Sequence, residues 1–159
     1  MGDPKGKVDD IPAIAEVAHR HGLPLIGDNT LCPPPIFNPF HNDADLVVYS
    51  LTKMIGGHGT SVGGAVVEKG DFDWTQGGRF PELTEPDPAH HGLNYWEAFG
   101  DHDRAAVRGQ PFSLNVRPGV LRDLRACLSP FNSSLIFQGL ETCPIRDRRH
   151  CAHAAVVAP

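Results

Sequence analysis

Residues 44–67 read ADLVVYSLTKMIGGHGTSVGGAVV. The first seven, ADLVVYS, are a short apolar run rich in β-branched residues, the pattern of a strand buried on both faces. Ser50, Thr52 and Lys53 follow at its end, and then a run of glycines. SVGGAVVE (61–68) reads as a further strand that returns in the manner of a hairpin. A lysine in such a turn is, in the simplest reading, a solvated surface ammonium. The segments on either side of it argue for more.

Upstream, VDDIPAIAEVAHRHGLPLIGDNT (8–30) begins with Asp9 and Asp10, either of which caps a helix whose apolar positions Ile11, Ile14, Ala15 and Ala18 fall at helical spacing. Gly22 ends that helix and Pro24 forbids its continuation. LPLIGD (23–28) is then a short strand that finishes in a carboxylate, Asp28. Helix, strand, connection and strand predict an α/β protein with a parallel sheet. In open α/β sheets ligands sit beyond the carboxyl ends of the strands. If the two strands are neighbours, Asp28, Ser50, Thr52 and Lys53 meet at one edge; strand order is not given by the sequence.

Downstream, residues 70–112 are irregular and aromatic, with Phe72, Trp74, Phe80, Tyr95, Trp96 and Phe99. They read as a packed surface loop rather than a wall that touches substrate. LRDLRACL (121–128) carries leucines at helical spacing, and SPFNSSLIFQGLE (129–141) has a Ser-Pro helix start. IRDRRHCAHAAVVA (145–158) begins a helix that the chain end interrupts, which suggests truncation.

The 159 residues allow one domain with a real core, and a formal charge of -5 gives no electrostatic case for nucleic acid or an acidic membrane surface. The small basic cluster RDRRH (146–150) reads as a solvated helix face. Four cysteines form no C-x-x-C pair or zinc spacing, and the nine histidines include only bare pairs, so no metal is expected. The polar start MGDPKGKVDD is not a signal peptide, and no segment reaches the ~20 apolar residues of a membrane span. A soluble, cytoplasmic protein is expected. Its 17 glycines and 15 prolines gather in connections such as CPPPIFNP (32–39) and GGRFPELTEPDP (77–88).

An amine, a carboxylate and hydroxyls at one strand edge suit pyridoxal phosphate. That cofactor takes a lysine through its aldehyde, a carboxylate at its pyridine nitrogen and donors at its phosphate. The glycines after Lys53 let backbone pass close to a ligand, although GHGTSVG (57–63) matches neither a P-loop nor G-x-G-x-x-G.

The paired stretches 8–30 and 44–67, with their D-N-T and S-x-T-K-x-x-G-G-H-G motifs, resemble the Cys/Met-metabolism family of pyridoxal-phosphate enzymes. The likeness continues through GRFPELTEPDPAHHGLNYWEAFG (78–100) and LRDLRACLSPFNSSLIFQGLET (121–142), which are similar to its O-acetylhomoserine sulfhydrylase branch. The resemblance implies that Lys53 is the Schiff-base lysine and proton shuttle, that Asp28 pairs with the pyridine nitrogen, and that Ser50 and Thr52 hold the phosphate. It implies an α/β fold, the central part of the large domain of fold-type I (aspartate aminotransferase-like) enzymes, with a mostly parallel sheet and flanking helices. Residues 1–159 are then a partial large domain, without its N-terminal part and the C-terminal small domain.

The activity implied is γ-replacement on O-acetylhomoserine by sulfide or thiol, with an amino-acid substrate and a homotetramer in the full-length family. The isolated chain is expected to be inactive, not to form that tetramer, and to dissolve poorly because sheet edges are left bare. A cystathionine γ-synthase or γ-lyase fragment is the alternative within the family. Outside catalysis, the alternative is a truncated product that binds the cofactor weakly or pairs with a full-length relative. One departure stands out: 25 residues before Asp28, where the family has an asparagine that donates to the cofactor's phenolic oxygen, this chain has Asp3. A carboxylate has no hydrogen to donate there.

Overall fold

The structure is a computed structural model that describes residues 6–103 and 107–158. Asp3 lies outside the described residues. Helix α1 (Ile11–Arg20) starts at Asp10, whose carboxylate accepts from the Ala13 amide at 3.2 Å. It ends where Gly22 takes φ +64° and its amide bonds the His19 carbonyl at 2.9 Å. The chain then enters strand β1 (Ile26–Asp28), shorter than the run 23–28 because Pro24 has no amide for a ladder.

Strands β2 (Leu46–Ser50) and β3 (Gly64–Glu68) complete a sheet of order β1-β2-β3 among the described residues. β1 pairs with β2 in parallel, with Asp28 opposite Val48. β2 pairs with β3 antiparallel, with Ser50 opposite Gly64, so the sheet is mixed and β3 is the hairpin-like return. Leu46 and Val47 are almost wholly enclosed; burial of each such side chain is worth about 1.5–3 kcal/mol.

The aromatic stretch departs from its reading as a surface loop. Phe72, Trp74, Leu83 and Tyr95 join Leu46 in a buried cluster, with Phe80, Trp96, Phe99 and Phe112 packed around it. Trp74 stacks on Phe112 with ring centroids 5.6 Å apart. Short helices α2 (Pro81–Thr84), α3 (Tyr95–Phe99) and α4 (Pro111–Val116) carry Leu83, then Tyr95, Trp96 and Phe99, then Phe112, while Phe72, Trp74 and Phe80 come from the turns before them. Residues of low periodicity thus make one face of the core.

The helix expected over 121–128 is also corrected. α4 runs on as a wider π turn through Arg117–Arg122, and the chain then breaks, with Arg125 at φ +54°. Leu124 is 73% exposed, so the leucine spacing there has no surface to bury against. The two helices expected beyond 129 form one, α5 (Pro130–Val157), capped by Ser129, which accepts from Asn132 N at 3.2 Å. It continues through Pro144 at the cost of one backbone hydrogen bond. No helix among the described residues is long and apolar enough to cross a membrane.

Candidate functional site

Parallel pairing brings the carboxyl ends of β1 and β2 side by side, and the turn after each is tied to the other. Asn29 N donates to the Val48 carbonyl at 3.0 Å, and Ser50 N donates to Thr30 Oγ1 at 2.8 Å. Asn29, itself buried, donates from Nδ2 to the Phe37 carbonyl at 3.0 Å and so anchors the proline-rich loop. A cleft of about 440 Å³ opens here, lined by Asp28, Asn29, Thr30, Leu31, Cys32, Ser50 and Lys53. Strand order, which the sequence left open, thus places Asp28, Ser50 and Lys53 together.

Each polar group in the cleft has a distinct state. Asp28 Oδ1 accepts from the Thr30 amide at 3.0 Å, which orients the carboxylate, and among the described residues Oδ2 has no hydrogen-bond partner. Lys53 is exposed, and its root is held by its own amide on the Ser50 carbonyl at 3.2 Å. Ser50 is bonded through its backbone and lines the cleft, and among the described residues its hydroxyl makes no hydrogen bond. Thr52 is not among the lining residues. Its Oγ1 accepts from Gly63 N at 3.0 Å and donates to Gly63 O at 3.3 Å, joining the strand end to the base of β3.

The segment after Lys53 has outside support that the sequence did not reveal. Arg146 on α5 donates from Nη2 to the Ile55 carbonyl at 3.2 Å and to the Gly139 carbonyl at 2.8 Å, and from Nε to Thr142 Oγ1 at 3.1 Å. The basic cluster 146–150 is therefore not wholly a solvated face: Arg148, Arg149 and His150 are exposed, but Arg146 turns inward. Cys143, fully buried, donates to Asp147 Oδ2 at 3.2 Å and lies 3.6 Å from the Met54 carbonyl. Burial above all, helped by Asp147, pushes its thiol up to about 11. A separation of about ninety residues hides these contacts from local pattern. Cys32, Asn29 and Thr30 lie within four residues of Asp28, and their nearness to it was the available signal.

An amine, an oriented carboxylate and a hydroxyl at the carboxyl ends of adjacent parallel strands are a chemical pattern that can be compared with known proteins. The family of Cys/Met metabolism PLP-dependent enzymes matches over residues 1–159. The chain belongs to this family. An O-acetyl-L-homoserine sulfhydrylase of Leptospira meyeri is 46% identical over 158 residues, 99% of this chain and 36% of the relative. A homocysteine synthase of Schizosaccharomyces pombe is 41% identical over 160 residues, 99% of this chain and 35% of its own. A solved Campylobacter jejuni protein described as an O-acetylhomoserine (thiol)-lyase, with N'-pyridoxyl-lysine-5'-monophosphate, superposes with a TM-score of 0.86 at 35% identity. It is matched over 99% of this chain and 37% of its own. The family member described here therefore has the α/β fold of the fold-type I enzymes and spans about a third of the length of the relatives it matches. The family's cofactor is pyridoxal phosphate.

Proposed function

We propose that this chain is the central part of the large, cofactor-binding domain of an enzyme that exchanges the acetoxy group of O-acetylhomoserine for sulfide or a thiol. The observation that carries the reading is the cleft in which Lys53, Asp28 and Ser50 meet. The relatives named for the sulfhydrylase and homocysteine synthase activities support the branch.

The donor set fits pyridoxal phosphate. Lys53 would hold it by its amine, Asp28 would accept from its ring nitrogen through the oxygen that Thr30 leaves free, and Ser50 would donate to its phosphate. Thr52 joins that phosphate set by turning its hydroxyl hydrogen away from the 3.3 Å contact to Gly63 O, while it still accepts from Gly63 N. Bound there, the cofactor supplies an electron sink for a carbanion. The chain's own contribution to the chemistry is a proton carrier: Lys53 Nζ takes a proton from one substrate carbon and returns it at another. Asp28, accepting from the ring nitrogen, would favour the proton staying there. A cytoplasmic enzyme whose full length assembles as a homotetramer belongs to the same reading.

Reduction with borohydride in the presence of pyridoxal phosphate, followed by peptide mass mapping, tests it. Label concentrated on Lys53, and lost in Lys53→Ala, is the expected result. Label spread evenly over Lys5, Lys7, Lys53 and Lys69 would remove the basis for the assignment.

A further inference from the structure

Lys53 stands on a loop whose second half is glycine. The residues after it include Gly56 and Gly57, which have no side chains with which to anchor the backbone, and Gly57 sits at φ +70°. The loop closes on itself through two bonds, Gly56 N to the Leu51 carbonyl and Gly57 N to the Lys53 carbonyl, both 2.8 Å. Beyond these, Ile55 packs against the cluster of Ala44, Val47 and Tyr49, His58 Nδ1 lies 2.8 Å from the Gly56 carbonyl, and the glycine half of the loop meets α5. Gly139 lies so close to Gly56 that a Cβ at position 139 would run into the Gly56 carbonyl, and a Cβ on Gly57 would run into the Arg146 guanidinium.

Given the reading that Lys53 holds the cofactor, we propose that Arg146 is a positioning residue for Lys53. Its guanidinium ties the Ile55 carbonyl to the Gly139 carbonyl and lies against Gly57, whose amide bonds the Lys53 carbonyl. The chemistry favours arginine for this task. A planar fork with several donors at fixed angles reaches Thr142 Oγ1 and both carbonyls at once, which the compact ammonium of a lysine does not. Bonds from a charged donor are also stronger than neutral ones. A reactive amine at the end of four methylenes is only as well placed as its root, so fixing residues 54–57 sets where Nζ is found.

The test uses the full chain in three forms: wild type, Arg146→Ala and Arg146→Lys. Each is reduced with borohydride in the presence of pyridoxal phosphate, and label at Lys53 is compared with label at Lys5, Lys7 and Lys69. Circular dichroism in the visible band of bound cofactor reports whether it is held in one orientation. Slow reaction of Cys143 with a thiol reagent shows that α5 is still docked, because that thiol is buried. In Arg146→Ala the Lys53 preference is expected to fall roughly ten-fold, about the weight of one charge-assisted bond, with the dichroic signal lost and Cys143 still protected. Arg146→Lys should stay near the alanine variant. Wild-type selectivity in Arg146→Ala with α5 docked overturns the proposal. If Arg146→Ala exposes Cys143, Arg146→Lys decides: wild-type selectivity there overturns the proposal, and a ten-fold loss with Cys143 protected supports it. Wild-type protein with no preference for Lys53 overturns the cofactor reading itself, and the proposal falls with it.

Discussion

His19 Nε2 and Asp45 Oδ2 stand 2.8 Å apart across a sequence gap of 26 residues, joining α1 to the residue just before β2. The same Asp45 oxygen accepts from Leu25 N at 2.7 Å, and only 5% of the residue is exposed. One carboxylate thus sets helix, first strand and second strand relative to one another. Asp45→Ala leaves the Leu25 amide without its acceptor and should cost about 3 kcal/mol in urea unfolding. Asp45→Asn, which keeps an acceptor oxygen, should cost less. Equal losses in the two variants would show that the acceptor is unimportant.

Thr52 is predicted to matter for stability before it matters to any ligand. Its hydroxyl both accepts from and donates to Gly63, so Thr52→Val strands the Gly63 amide at the entrance to β3, while the Gly63 carbonyl keeps the Leu51 amide at 2.9 Å. The expected loss is about 1–3 kcal/mol by chemical denaturation without cofactor, and Thr52→Ser should recover most of it. A valine variant as stable as the parent would return the hydroxyl wholly to the cleft.

Gly139→Ala should be far more costly than an exposed glycine-to-alanine change in a helix, which normally stabilises. The added methyl meets the Gly56 backbone, which has no side chain to swing aside. Overpacking of this kind costs about 1–3 kcal/mol, and faster alkylation of Cys143 should accompany it as α5 lifts. A rise in melting temperature would contradict the close approach.

Cys143 predicts a limit on alkaline stability. Its thiol, ordinarily at 9.0, is raised to about 11 by burial and by its bond to Asp147. Between those values the unfolded chain gives up this proton and the folded chain does not, so unfolding gains and stability falls as pH rises through the window. The stabilisation is fully present below pH 9 and amounts to roughly 3 kcal/mol at most. Cys143→Ala should be less stable at neutral pH because of the cavity, yet should show a shallower decline between pH 9 and 11. Unfolding free energies measured across that range compare the two slopes.

What the sequence made legible follows physical range. Asp10, Gly22 and Pro24 act within a few residues of themselves, and they fix α1 and the approach to β1 as their types suggest. Lys53 and Asp28 were visible as ends of apolar runs, but their meeting depends on the parallel pairing of Ile26 with Leu46, a tertiary fact. The spacing of Leu121, Leu124 and Leu128 misled because periodicity marks a face only when something covers it, and Leu124 is uncovered. Phe72, Trp74 and Tyr95 gave the opposite error: aromatic rings build a core from irregular backbone, where no period can announce it. Arg146 lay in a charge cluster whose average behaviour is solvation, and one member of it turned inward.

The Gly139–Gly56 contact has a mechanical side. Most helix–loop seams contain side chains that flex and absorb small shifts, whereas here two main chains abut with no such cushion. A helix of 28 residues is roughly 42 Å long. It therefore acts as a lever whose fulcrum rests almost directly on the lysine loop. A tilt of the helix at Gly139 passes straight to the backbone beside Lys53.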